Sequence, residues 1–255
     1  MLNARSLSTH AALGLLILAT LPAGADDLAA VRERIAAEFD IIGPEHVSPS
    51  PVEGWYTIQK GTIVAYVSGD ARYLLQGDLI DLDAQTNLTE LARDEARKAM
   101  VAGLGDDEVI TFAPEEVKYE VTVFTDVGCT FCRRMHGEID KYLAAGIAVR
   151  YVLYPRNGPE SPDWIESEKV WCASDRNAAL TAAKQDRPFQ TSECDASIVQ
   201  DHYLLGRDVG LSGTPAVVLE DGTLIAGYIP PDMLAEQLAE TEAEAAARNQ
   251  AAARK

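Results

Sequence analysis

The sequence predicts a small α+β domain followed by a larger α/β domain with a helical insertion, and three observations predict it. An apolar, β-rich run over residues 119–125 leads through Asp126 into Cys129-Thr-Phe-Cys132, then helix-compatible sequence to Ala145-Gly146, then a second β-rich run over 147–154. That is a βαβ unit, whose crossover is expected to be right-handed. Upstream, short β-rich pieces between residues 55 and 82 are separated by Lys60-Gly61, Ser68-Gly69-Asp70 and Gln76-Gly77-Asp78, the punctuation of a small antiparallel sheet. Between the two regions, residues 86–103 form a mostly polar helical stretch with no internal Gly or Pro.

A chain of 255 residues has room for one large or two modest domains. Its first segment predicts export. Arg5 supplies a positive start, residues 11–21 are an apolar run too short to span a bilayer, and Pro22-Ala-Gly-Ala25 ends in a small-x-small cleavage pattern. A signal peptide over 1–25 and a mature chain from Asp26 are therefore expected. No Cys follows the cleavage site, so no lipid anchor is expected, and no later stretch is apolar enough for membrane insertion. Removing the leader takes away only Arg5, leaving 21 basic against 40 acidic residues, about −19. Nucleic acid is a disfavoured partner for such a surface, because phosphates require a basic footprint.

In chain order, residues 28–39 place Leu28, Val31, Ile35 and Phe39 at helical spacing, stopping before Gly43-Pro44. Strands are predicted at 55–58, 63–67, 73–75 and 79–82, completing an N-terminal domain over 26–85. So small a sheet and helix bury little apolar surface alone, and pairing with a second copy would supply more. The stretch 86–103 is predicted as a linker helix, opened by the capping-box sequence Asn87-Leu-Thr-Glu90, supported by Asp94 and Lys98 at i,i+4, and bracketed by Gly103 and Gly105. Its polarity suggests a semi-rigid spacer rather than a core element. Over 104–241 the prediction is strand 119–125, helix 132–145 and strand 147–154, then helical sequence at 167–184 around Cys172 and at 195–210 with Asp195 as N-cap. Strands at 216–219 and 223–227 follow, joined by the turn signal Asp221-Gly222, and Pro230-Pro231 opens a last helix through Leu234 and Leu238. The order βαβ, helices, ββ, α is that of a thioredoxin-like domain with a helical insertion. The Ala/Glu-rich tail, 242–255, reads as a frayed extension of the last helix.

The chemistry sits in the Cys-x-x-Cys. Cys129 falls at a helix N-terminus, where unpaired N–H groups and the helix dipole favour a thiolate, a nucleophile at neutral pH. Cys132 lies one turn along, close enough to close a disulfide. A zinc site would need a second close-spaced pair, whereas Cys172 and Cys194 lie far apart, so no metal and no cofactor is expected. A purely structural bridge over so short a loop would remove little unfolded-state entropy. Four cysteines allow three pairings, and spacing does not choose among them. The chemistry suggests Cys129 with Cys132, leaving Cys172 with Cys194 to close a loop worth roughly 3 kcal/mol. Asp126 is a candidate proton acceptor for Cys132, in competition with a turn-capping role. His136 is expected at the surface, Arg133 and Arg134 are weak candidates for favouring the thiolate, and Trp55, Trp164 and Trp171 are read as packing residues.

The words Val123-Phe-Thr-Asp-x-x-Cys-x-aromatic-Cys132, Val149-Arg-Tyr151 with Pro155-Arg156, Val170-Trp-Cys172-Ala, Cys194-Asp195, Ser212-Gly-Thr-Pro-Ala-Val-Val-Leu219 and Gly227-Tyr-x-Pro-Pro231 carry a resemblance. From Asp26 to about Glu240 the chain resembles the periplasmic thiol:disulfide interchange proteins of the DsbC/DsbG type, DsbC-type isomerases most closely. The resemblance implies a V-shaped homodimer in which N-terminal domains dimerise, linker helices hold the arms apart, and two thioredoxin-like domains face a cleft for misfolded exported proteins with non-native disulfides. It implies Cys129 as attacking thiol, Cys132 as resolving thiol, Cys172–Cys194 as structural disulfide, Pro215 as the active-site cis-proline, and Thr214 as a backbone contact for substrate. A DsbD-type membrane thiol reductase would re-reduce the pair. The dipeptide Thr130-Phe131 departs from the Gly-aromatic of the isomerase and the Pro-His of the oxidase, and its aromatic favours isomerase. The implied activity is reduction and isomerisation of incorrect disulfides, with chaperone activity alongside; the alternatives are a dithiol oxidase and a holdase without thiol chemistry.

Overall fold

The computed structural model describes residues 25–253, so the expected signal peptide lies outside the described residues but for Ala25. Helix α1 (Ala25–Ala36) lays Val31 and Ile35 against an antiparallel sheet of β1 (Val47–Pro49), β2 (Trp55–Lys60), β3 (Ile63–Ser68) and β4 (Leu74–Leu75), in that order. Val47, Ile58, Ala65 and Val67 complete its core, which is small, as the segment's length requires. The edge strand β4 leaves both its leucines exposed. One expected strand is corrected. Residues 79–82 do not join this sheet, because β5 (Ile80–Asp81) pairs instead with β6 (Thr86–Asn87) in a separate hairpin.

The linker helix α2 (Leu88–Ala102) is capped as expected, Asn87 accepting from the Glu90 N–H at 3.0 Å. It is not a free spacer. Val101, with Met100 and Leu104, packs among Phe124, Val152, Ala216 and Val218 of the second domain. Arg97 is buried, donating to the Val209 carbonyl at 3.2 Å and pairing with Glu90 at 2.6 Å and Asp94 at 2.8 Å. Asp94 thus engages Arg97 rather than Lys98. Composition misled here because an arginine can be buried once its hydrogen bonds are satisfied. The approach is close enough that a Cβ at Gly222, which sits at φ +94°, would collide with the Asp94 backbone.

The second domain runs β7 (Ile110–Phe112), β8 (Tyr119–Thr125), α3 (Thr130–Gly137), α4 (Ile139–Ala144), β9 (Ile147–Leu153), α5 (Pro162–Trp171), α6 (Arg176–Lys184), α7 (Ile198–Asp208), β10 (Ala216–Val218), β11 (Leu224–Ala226) and α8 (Pro231–Ala253). Its sheet has the order β11-β10-β8-β9-β7, with β8 and β9 parallel and the other pairs antiparallel. β9 is buried along its whole length, and apart from Arg150 it is apolar throughout. Three single helices expected from the sequence are redrawn. The 132–145 helix breaks at Glu138, whose φ of −109° is not helical. The 167–184 stretch is two helices, with separate caps at Ser161 and Asp175. Asp195 closes a turn onto the Ser197 N–H at 2.9 Å, and α7 begins only at Ile198.

His136 is likewise corrected from surface to core. It is 2% exposed, with Nδ1 3.2 Å from the Tyr151 hydroxyl and Nε2 2.9 Å from Thr181 Oγ1. The Thr181 hydroxyl donates to the Asn177 carbonyl, so His136 Nε2 is the donor and Nδ1 the acceptor. His202 is also buried, accepting from the Leu153 N–H at Nδ1 and donating from Nε2 to the Glu108 carbonyl at 2.7 Å. A second proton on His202 would set a donor against the Leu153 N–H, and on His136 it would remove the acceptor that the Tyr151 hydroxyl uses. Burial holds both imidazoles down to about 4, with Lys184 adding to the effect at His136. The unfolded chain, with ordinary imidazoles near pH 6.5, then binds more protons than the folded one below that pH. Stability is therefore expected to be complete above about pH 6.5 and to fall by on the order of a few kcal/mol as pH drops towards 4. Denaturant midpoints across that range check this, with His202→Gln expected to flatten part of the slope.

Candidate active site

The site forms where β8 ends. Thr125 closes the strand, and Asp126 turns the chain by accepting from the Gly128 N–H at Oδ1, 2.8 Å, and from the Arg156 N–H at Oδ2, 3.2 Å. Cys129, in extended conformation, is the N-cap of α3, and Cys132 sits one turn into that helix. Both sulfurs are free thiols, 3% and 1% exposed. Between them Phe131 stands 56% exposed, an aromatic face beside the sulfurs.

The two sulfurs have unlike surroundings. Cys129 Sγ lies 3.2 Å from the Thr214 carbonyl, across the cis peptide bond of Thr214–Pro215. Burial opposes its ionisation, but hydrogen bonds from the Thr214 side chain, from the Cys132 backbone and thiol, and from Arg156 outweigh it, holding the Cys129 thiol below the ordinary cysteine value. Cys132 lies deeper, with the Asp126 N–H 3.5 Å from its sulfur. Burial pushes its thiol up, only partly countered by the positive charge of Lys184. The same helix thus carries one sulfur biased towards thiolate and one biased towards thiol. Thiol–disulfide exchange requires that division between an attacking group and a reserve.

Asp126 lies in the site, fully buried, but its carboxylate is committed to the turn and to Arg156 Nε at 3.7 Å. Arg133 and Arg134 point elsewhere: Arg133 forms a two-pronged pair with Asp186, and Arg134 lies 4.3 Å over the Tyr228 ring. The arginine that does reach the site is Arg156, whose Nη1 donates to Thr214 Oγ1 at 3.1 Å and whose guanidinium hydrogen-bonds Cys129. In the sequence its only signal is the Pro155-Arg156 pair. Lys184, at the end of α6, also reaches the site, and no local pattern in the sequence marks it. Cys172 and Cys194 form a disulfide joining the end of α5 to the loop before α7. Among the described residues no cluster of three or more His, Cys, Asp or Glu is placed to hold a metal ion.

Two family models match the chain: a thioredoxin-like domain over residues 106–242 and a disulfide bond isomerase protein N-terminal domain over 22–90. Similar proteins include the thiol:disulfide interchange protein DsbC of Escherichia coli K12, 36% identical over 86% of this chain and 89% of its own length. That of Dickeya dadantii is 39% identical over 72% and 76%. A solved disulfide interchange protein from Neisseria gonorrhoeae is 29% identical, covering 54% of this chain and 97% of its own, at a TM-score of 0.48.

Replacing Arg156 by Gln keeps the backbone bond to Asp126 and removes the charge beside Cys129. Iodoacetamide alkylation of Cys129 should then titrate roughly one pH unit higher, with about tenfold slower reaction near neutrality. An unchanged midpoint would mean that Arg156 does not hold the thiolate.

Proposed function

The chain belongs to the DsbC family of thiol:disulfide interchange proteins, and we propose that within it this protein works in the periplasm as a disulfide isomerase and reductase. Its class of activity, thiol–disulfide oxidoreductase, follows from the family and the Cys-x-x-Cys pair. The observation that carries the proposal is the opposed bias of the two sulfurs. On this reading the Cys129 thiolate attacks a wrong disulfide in an exported protein and becomes joined to one of its sulfurs. The freed substrate thiolate attacks another bridge, and the final exchange releases Cys129 again. If rearrangement stalls, Cys132 displaces the substrate, leaving the pair oxidised for a DsbD-type membrane reductase to reduce. Pro215 and Thr214 flank the sulfurs, and the Thr214 backbone is the proposed edge on which an extended client strand lies. Cys172–Cys194 is proposed as a purely structural bridge. Isomerisation is favoured over net oxidation by the N-terminal match to a disulfide bond isomerase domain and by the aromatic Phe131 between the cysteines.

Refolding of a scrambled multi-disulfide substrate tests this. Cys129→Ser should abolish recovery, whereas Cys132→Ser should retain part of it and accumulate mixed disulfides. A parent recovered from cells mainly as the oxidised form would favour the oxidase reading, and recovery unaffected by Cys129→Ser would favour a holdase.

We also propose that residues 26–85 form a dimerisation domain for a second copy of the chain. The small core, the exposed edge leucines of β4, and neighbouring exposed Tyr73, Ile80 and Leu82 support this. Sedimentation should show a dimer at micromolar concentration, and a monomer when Leu74 and Leu75 are both replaced by Lys.

A further inference from the structure

Lys184 is a buried amine that the exchange steps above leave without a task. It ends α6 at 4% exposure, with Nζ donating to Thr125 Oγ1 at 2.7 Å and to the Asp126 carbonyl at 3.4 Å, and lying 5.8 Å over the Tyr151 ring. Asp126 offers it only a carbonyl, because the carboxylate is turned to Gly128 and Arg156. An ammonium so enclosed carries a large desolvation cost unless an anion forms beside it. The group placed to become that anion is Cys132. Cys132 Sγ faces the same two residues, with the Asp126 N–H 3.5 Å away and the Thr125 side chain favouring its ionised form. Lys184 Nζ and Cys132 Sγ therefore converge on Thr125 and Asp126 at the end of β8.

We infer that Lys184 is the positioning residue for the Cys132 thiolate: held at Thr125 and Asp126, its ammonium stabilises the anion that forms as Cys132 attacks the Cys129–substrate disulfide. The inference rests on the reading of Cys129 as attacking and Cys132 as resolving thiol. The step balances without any further reagent. Cys132 S–H gives its proton to solvent, and the Lys184 ammonium offsets the charge of the thiolate left behind. The Cys132 sulfur uses the electron pair left behind to bond Cys129 Sγ. The bond between Cys129 and the substrate sulfur breaks, and the substrate sulfur leaves with its electron pair as a thiolate. Two electrons have moved from the cysteine pair to the substrate disulfide. Once the bond closes the cysteine pair carries no charge, and the ammonium keeps its Thr125 and Asp126 acceptors.

The electrostatics agree with the geometry. Burial lowers the Lys184 ammonium to about 8, against the opposing charges of Cys132, Asp126 and Cys129 and with the help of Arg133. Burial raises the Cys132 thiol, and the Lys184 charge counters part of that rise. His136 and Tyr151, which also face this space, supply no positive charge at neutral pH. His136 has both nitrogens engaged and is held down to about 4, and burial pushes the Tyr151 phenol far up.

The chromogenic disulfide dithionitrobenzoate separates the two steps. Attack by Cys129 releases a first thionitrobenzoate, and Cys132 releases the second as the internal bond closes. Stopped-flow rates of the second release, followed from about pH 6 to 9 in the parent, Lys184→Met and Thr125→Val, test the assignment. Both variants should slow that phase by about tenfold or more near pH 7 and move its pH midpoint upward, as loss of one pH unit of thiolate stabilisation requires. A merely structural lysine would change unfolding midpoints and leave the pH profile in place. Superimposable profiles for Lys184→Met and the parent would overturn the inference; should that variant fail to fold, a superimposable Thr125→Val profile would do the same. A parent giving no first release would overturn the exchange reading itself, and this inference with it.

Discussion

The rest of the structure depends on holding two sulfurs, one helical turn apart, in opposite electrostatic surroundings. A helix N-terminus alone cannot do this, because its dipole acts on the whole first turn. The difference comes from what meets each sulfur from elsewhere in the chain. Above, Thr214 and Arg156 crowd Cys129 with hydrogen-bonding groups. Below, Cys132 is closed into the sheet end, where only the Asp126 N–H, the Thr125 hydroxyl and the distant charge of Lys184 address it. The fully buried β9 and the short β10 are the scaffold that brings these groups to one point.

Asp126 organises this arrangement through its carboxylate. Its two carboxylate oxygens each accept a backbone N–H, fixing the turn into α3 and the segment that carries Arg156. Arg156 is then aimed at Thr214 and Cys129 by its own ion pair with that carboxylate. Removing a buried carboxylate so placed would orphan those donors, a cost separate from any effect on the sulfurs.

The linker helix illustrates the same dependence on distant groups. By composition it is a solvated rod. In the structure Arg97 finds Glu90 and Asp94 on its own helix and the Val209 carbonyl across the interface, and Val101 slots into the cluster around Phe124 and Val218. The helix is therefore fastened to the catalytic sheet along one face, so the two domains are joined by packing as well as by covalent chain.

Within the chain itself, local pattern determined a good deal. Strand 119–125, the Cys129–Cys132 motif at a helix start, the strand that follows, the Asp221-Gly222 turn and the Asn87 cap are all short-range features, and each is found where its residues indicate. Only the tertiary structure decided that His136 is core, that Asp126 is a turn clamp, and that Arg156 and Lys184 rather than Arg133 and Arg134 face the sulfurs. The contacts responsible join residues 30, 59 and 85 positions apart in the chain. Hydrophobic periodicity reports which face of an element is buried; it carries no information on which distant side chain will lie opposite, because that is set by how the sheet and its covering helices pack.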